Sequence, residues 1–200
     1  MILFVRIAQY NTQNDESMLR ITTGRLIIRN FLLDDWKELQ EIIEDKESSE
    51  YAIYDHQFPT SENEVKQITG WFSQNDEYLA VCELSTKKVI GYLAINDDKK
   101  GGKNLGYNLH SAYQRKGYAY EACIAILNYA FNTIGVERLT SGTANLNYPS
   151  INLLVKLGFQ KTGESILSFR STPEGKPVEF TGSSFILEKT EWEKNGYSLP

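Results

Sequence analysis

The chain has 200 residues, 41% hydrophobic and 24% charged, with a formal net charge of -5. That composition fits one globular domain with a proper core and disfavours a dedicated nucleic-acid binder, which would carry a basic balance. The two cysteines, Cys82 and Cys123, can build neither a disulfide framework nor a metal site, and such low usage fits a reducing compartment.

Met1 to Ala8 is apolar but interrupted by Arg6, and is too short for a signal peptide or a membrane span. It reads as an added strand or packed arm. Residues 1–19 are then an N-terminal arm and residues 20–200 a single domain. With no longer apolar run in the sequence, a cytoplasmic location is the default expectation, with no membrane partner.

Arg25 to Phe31 reads as a strand, with β-branched residues inside and charge near both ends. Asp34 and Asp35 then serve as N-cap and first-turn acid for a helix carrying Trp36, Leu39, Ile42 and Ile43 at helical spacing. The stretch from Glu47 to Pro59 is irregular and gathers Tyr51, Tyr54, His56 and Phe58. It either lines a binding site or folds over the core. Ser61 to Glu64 is a capping box opening a helix to about Phe72, with Val65, Ile68, Trp71 and Phe72 as its apolar stripe.

Tyr78 to Leu84 and Val89 to Ile95 form a hairpin, and Gly91 marks a bulge or a close backbone approach. After a charged, glycine-rich loop comes a strand from Leu105 to Leu109. A helix follows from Tyr118 to Phe131, with Cys123 a buried hydrophobe on its apolar face. Arg138 to Ala144 is a strand. Ser150 to Leu157 is a helix with Ile151, Leu154 and Val155 inward, Pro149 ahead of it holding Tyr148 out of helical conformation, and Gly158 ending it. Strands from Phe159 to Phe169 and from Phe180 to Glu188 follow, and Trp192 closes the fold. The order predicts an α/β chain of the α+β type. Its sheet is mixed, largely antiparallel and twisted, with about seven strands, about four flanking helices and one crossover around the helix Tyr118–Phe131.

The chemistry gathers at Gln114-Arg115-Lys116-Gly117-Tyr118-Ala119, a turn between a strand and a helix start. The first N–H groups of a helix lack intrahelical partners and sit at the positive end of its dipole, and Gly117 lets an anion approach the main chain.

The pattern Gln114-x-x-Gly117-x-Ala119 resembles the pyrophosphate loop of the GCN5-related N-acetyltransferase (GNAT) family. Asn147-x-x-Ser150 followed by Leu157-Gly158-Phe159 is similar to the family's later helix and turn. Thr23 to Arg29, Asp34-Asp35 and Leu105-Gly106-Tyr107 look like the branch that acetylates ribosomal-protein N-termini. The resemblance spans about Arg20 to Trp192 and implies transfer of an acetyl group from acetyl-CoA to a primary amine, either a protein N-terminus or a small amine. Acetyl-CoA would be the cosubstrate, with no metal and no nucleic acid, in a family that often forms homodimers.

The resemblance also implies site residues. Cofactor contacts would come from Leu109, Gln114, Arg115, Lys116, Gly117, Tyr118, Ala119, Asn147 and Ser150. The Leu109 N–H would polarise the thioester carbonyl, with the Asn108 N–H as the neighbouring choice. Ser150 would reprotonate the thiolate, or else it is a first-turn serine. Asn147 would bond the pantetheine, or cap the helix, or both. Asn104 stands where the branch often has a glutamate base, and His110, Glu121, Glu179 and the loop around Tyr51–His56 are the replacements on offer. An acyl-CoA-binding sensor or scaffold without transfer is the alternative function. Aromatic and acidic residues in the variable loop would suit a cationic acceptor.

Overall fold

Strands form where β-branched and aromatic residues run together, and the central strands of the sheet they build are buried on both faces. In the computed structural model, which describes residues 18–196, the strands are β1 (Arg20–Thr22), β2 (Leu26–Asn30), β3 (Tyr78–Glu83), β4 (Val89–Asp97), β5 (Lys103–Leu109), β6 (Arg138–Ala144), β7 (Gln160–Ser171) and β8 (Pro177–Glu188). They lie in one sheet in the order β1-β2-β3-β4-β5-β6-β8-β7. The helices are α1 (Trp36–Ser48), α2 (Glu62–Phe72), α3 (Tyr118–Tyr129), α4 (Tyr148–Lys156) and α5 (Lys189–Lys194). All strand pairings are antiparallel except β5 with β6, which α3 connects as a parallel crossover.

This is the mixed, largely antiparallel architecture expected, with eight strands and five helices among the described residues rather than about seven and four. The additions are β1 and α5, three and six residues long. Neither is long enough to display a period. The expected arm from Met1 to Ala8 lies outside the described residues.

Alternation along the strands feeds two cores. Leu26, Ile28, Leu79 and Val81 face one layer with Ile126, Leu127, Leu154 and Trp192 from the helices α3, α4 and α5 and with Phe131 just after α3. Ile27, Ala80, Cys82 and Tyr92 face the other with Leu39, Ile42, Ile43, Val65 and Phe72 from α1 and α2. Burying each such aliphatic side chain contributes about 1.5–3 kcal/mol. Cys123 is fully enclosed in the first core, where burial pushes its thiol up, so it behaves as the small hydrophobe expected. Among the described residues no helix is long and apolar enough to cross a membrane.

Several local expectations need correction. Asp35 does not cap α1 with its side chain; its carboxylate takes both terminal nitrogens of Arg29, at 2.6 and 2.8 Å, and the Leu32 N–H. Ser61 bonds the Glu64 side chain rather than the helix backbone, so the capping box closes on itself. Trp71 and Val155 are 52% and 59% exposed, because α2 turns Thr69 inward and α4 relies on Leu154 and Leu157. Tyr148 is the first residue of α4, since Asn147 takes the cap and Pro149 falls within the first turn.

Gly91 meets both expectations placed on it. The register between β3 and β4 shifts between Val81 and Cys82, opposite Gly91. A Cβ at Gly91 would stand 2.9 Å from Leu109 Cα and closer still to the Asn108 carbonyl oxygen. These neighbours are backbone atoms and cannot swing aside. Gly91→Ala is therefore expected to cost about 1–3 kcal/mol of stability as an overpacked site, read from the shift in the urea unfolding midpoint. Unchanged stability would mean that β4 and β5 have room between them.

Candidate functional site

The site begins where the sheet comes apart. β5 and β6 are in register at only two positions, Lys103↔Leu139 and Asn104↔Thr140. Beyond them β5 continues beside β4 alone, up to the pair Gly91↔Leu109. His110 N–H donates to the Ile90 carbonyl at 3.0 Å. Antiparallel pairs alternate between bonded and non-bonded. Asn108 opposite Tyr92 therefore belongs with the bonded class, whereas the main-chain groups of Tyr107 and Leu109 point away from β4 into the gap. Two carbonyls along this margin are taken by side chains. Ser141 Oγ donates to Leu105 O, and Gln114 Nε2 donates to Leu109 O, each at 2.8 Å.

Gln114 thereby ties the end of β5 to the loop that follows. Two loop residues sit in the left-handed region, Arg115 with φ 59° and Gly117 with φ 83°. Left-handed residues next to right-handed ones are the backbone pattern in which N–H groups can converge on an anion. Gly117 is the N-cap position of α3 and its carbonyl accepts from Glu121 N. Lys116 Nζ is engaged within the turn itself, donating to Ala112 O at 2.7 Å. Arg115 is exposed. The Tyr118 hydroxyl donates to Glu83 Oε1 at 3.0 Å, which raises the phenol, while Thr86 and Tyr118 hold Glu83 below the usual carboxylate range. Ala119 packs against the first core.

On the far side of the gap, Asn147 Oδ1 accepts from Ser150 N at 3.2 Å, so Asn147 caps α4. The cap fixes Ser150 in the first turn, where its Oγ lies 2.9 Å from the Tyr107 hydroxyl. That hydroxyl also lies 3.2 Å from the Ser150 carbonyl, which can only accept. Tyr107 is therefore the donor to the carbonyl, and the Ser150 hydroxyl can donate to the phenol. Burial raises the Tyr107 phenol, so it stays protonated. The sequence reading singled out no such partner for Ser150. Its signal was the two-residue spacing of Tyr107 from Leu109, which puts both side chains on the face that α4 covers.

The proposed substitutes for a glutamate base differ in their surroundings. Asn104 Nδ2 donates to Thr140 Oγ1 at 3.2 Å. Glu121 is 5% exposed and fully engaged, accepting from Thr23 Oγ1, Arg25 N and Arg25 Nε. His110 Nδ1 accepts from Ala112 N, so its neutral ring carries the proton on Nε2. Glu179 lies on β8 opposite Ser168.

The variable loop folds against the hairpin of β7 and β8. Tyr54 packs on Phe180 and His56 on Phe169, with ring centroids 5.2 and 4.5 Å apart. Arg170 Nη1 pairs with Glu47 at 2.9 Å, and Lys46 Nζ with Asp55 at 3.0 Å. Burial works against the Glu47 charge, but the Arg170 hydrogen bond prevails and holds it below the usual range. Of the loop's three carboxylates, Glu47 and Asp55 are thus paired from within, and Glu50 is exposed. Among the described residues no group of three or more His, Cys, Asp or Glu could hold a metal.

A parted strand pair, a main-chain N–H facing the gap, an anion nest at one end and a hydroxyl pair at the other can hold an extended thioester with a diphosphate. Comparison with known proteins agrees. The family model described as an acetyltransferase (GNAT) domain matches residues 25–160. The chain is 30% identical over 148 residues to the uncharacterised N-acetyltransferase YnaD of Bacillus subtilis, covering 72% of this chain and 85% of that protein. It is 26% identical over 157 residues to the [ribosomal protein uS5]-alanine N-acetyltransferase of Escherichia coli, covering 72% and 80%. A GNAT-family acetyltransferase from Bacillus anthracis shares the fold with a TM-score of 0.74 at 20% identity, covering 86% of this chain and 99% of that one. The chain belongs to the GNAT family and is an acetyl-CoA-dependent N-acetyltransferase.

Proposed function

We propose that the chain acetylates a primary amine, on a protein N-terminus or a small molecule, by direct attack on acetyl-CoA. The observation that carries this reading is the Leu109 N–H turned into the gap between β5 and β6. In this reading the pantetheine lies along β5 as an added strand, and Asn147 bonds it while capping α4. The main-chain N–H groups from Arg115 to Ala119 take the pyrophosphate. The Leu109 N–H polarises the thioester carbonyl and holds the oxyanion as it forms.

The amine nitrogen attacks the carbonyl carbon, a C–N bond forms and the C–S bond breaks. The thiolate takes its proton from Ser150, whose hydroxyl is replenished by water that carries away the proton the attacking nitrogen gives up as the amide forms. The amine must arrive neutral. Asn104 cannot remove its proton, Glu121 is enclosed and the Nδ1 lone pair of His110 is engaged; in this reading the proton goes to water, and Glu179 and the Tyr51–His56 loop are the remaining places for an enzymic base. Membership of the family and the relative that acts on ribosomal protein uS5 support a protein acceptor. The site is proposed to work as a monomer's own cleft, whether or not two copies associate. The location proposed is the cytoplasm, where acetyl-CoA is supplied.

Three outcomes test the reading. Gly117→Val, which forces a β-branched residue into the left-handed region, is expected to abolish CoA binding by calorimetry; normal affinity would remove the loop assignment. Ser150→Ala is expected to lower kcat by about 10²-fold, the usual worth of a positioned proton donor, with acetyl-CoA affinity kept. Full turnover in that variant would exclude the serine. With water as the proton acceptor, kcat/KM for a peptide acceptor should rise with pH until the α-amino group itself is neutral, at about 8. A plateau reached well below that, near the histidine range, would instead identify an enzymic base.

A further inference from the structure

The buried Glu121 and its partners do something for the loop that the family pattern does not specify. Glu121 lies in the first turns of α3, four residues beyond Gly117. Its Oε1 accepts from Thr23 Oγ1 at 2.6 Å and from Arg25 N at 2.8 Å, and its Oε2 accepts from Arg25 Nε at 2.7 Å. The guanidinium is therefore held at its inner edge by a carboxylate that also accepts from two groups of the turn between β1 and β2. Its outer edge reaches the loop: Nη1 donates to the Lys116 carbonyl at 3.0 Å. Its face lies over the Tyr118 ring, 4.6 Å from the centroid. Nη2 stands 3.3 Å from where a Cβ on Gly117 would be.

The consequence follows from peptide geometry. In a trans peptide unit the C=O and the N–H point in opposite directions. A Lys116 carbonyl fixed on Arg25 turns the N–H of Gly117 to the other side of the loop, toward the nest. Without that hold the unit between Lys116 and Gly117 can flip, because glycine tolerates either sense. A flipped unit would aim a carbonyl oxygen at an anion. The negative charge of Glu121 near the diphosphate is offset by the same guanidinium.

We infer that Arg25, anchored on buried Glu121, is a positioning residue of the cofactor loop, and that its bond to the Lys116 carbonyl presents the Gly117 N–H to the CoA pyrophosphate. This rests on the reading of residues 114–119 as the pyrophosphate loop. It places in the turn between β1 and β2, over ninety residues upstream, a determinant of cofactor affinity that touches no acetyl group and no acceptor.

The experiment compares acetyl-CoA with S-acetylpantetheine, which lacks the pyrophosphate, as donors for one peptide acceptor. Arg25→Ala is expected to raise the KM for acetyl-CoA about tenfold, the worth of a hydrogen bond with a charged donor, and to leave the S-acetylpantetheine reaction unchanged. Because the single variant strands the Glu121 charge in the interior, Arg25→Ala/Glu121→Gln is measured beside it and should show the same selective loss. Arg25→Lys keeps the charge and can pair with Glu121, but a point donor cannot hold Glu121 and the Lys116 carbonyl together. It should therefore stay folded and fail to restore the KM. An unchanged acetyl-CoA KM in the double variant, an equal loss with both donors, or full rescue by lysine would each overturn the inference. Gly117→Val separates the two levels: if it leaves CoA affinity intact the loop reading itself fails, whereas loss there with normal Arg25 variants sinks only the role of Arg25.

Discussion

The parting of β5 from β6 is the constraint on which the rest of the structure depends. Two registered pairs join these strands, and then main-chain groups in the middle of a sheet are left facing a gap. Buried backbone groups need partners, so an interior gap persists only if other groups engage its margin. Ser141 and Gln114 do so for the carbonyls of Leu105 and Leu109. Gly91 lets β4 approach β5 closely at its far end, so that the strand stays attached there while it leaves β6. α3 crosses from one margin to the other and sets the distance between them. The opening is thus maintained by groups from four segments: Ser141 of β6, Gln114 of the loop, Gly91 of β4, and α3.

Below the gap, the loop depends on charge compensation rather than on its own basic residues. Lys116 folds back on Ala112, and Arg115 is exposed. The organised cation is Arg25, half exposed, held by a carboxylate that is almost fully enclosed. An ion pair with one member in water and the other buried contributes little by its Coulomb energy alone. Its importance is geometric: it fixes the orientation of a guanidinium, and the guanidinium fixes a peptide plane. Tyr118 between Arg25 and Glu83 adds a second surface to the same arrangement.

Much of this was legible in the sequence, for identifiable reasons. The strand and helix patterns are strong where helices cover both faces of the central strands. Gly91, Gly117 and Gly158 stand where a close approach or a positive φ demands them. The spacing of Asn147 and Ser150 from the loop carried the family resemblance. What local pattern could not reveal are partnerships across the chain, such as Arg25 with Glu121 or Glu47 with Arg170, since each member reads by itself as an ordinary surface charge. The partnership of Tyr107 with Ser150 was hidden in the same way, although Tyr107 itself stood in the family-like stretch Leu105-Gly106-Tyr107. The outward turns of Trp71 and Val155 were missed because a helical stripe does not say how wide the contact with the sheet will be.

The same internal pairing bears on the acceptor side. Counted by composition, Glu47 and Asp55 offer a negative mouth. In the fold, Glu47 is closed on Arg170, and Asp55 is paired with Lys46, itself sandwiched against the Phe58 ring at 4.7 Å. These pairs fasten the loop to the hairpin of β7 and β8 and align Tyr54, His56, Phe169 and Phe180 along the junction. On the proposed reading, an acceptor entering from this side meets aromatic surface and compensated charge. A polycation would gain little Coulomb attraction from carboxylates already paired, whereas a peptide end could lie against the rings with its single amine directed at the gap. On that reading shape and apolar contact carry the selection, because these salt bridges offset charge while holding the loop against the hairpin.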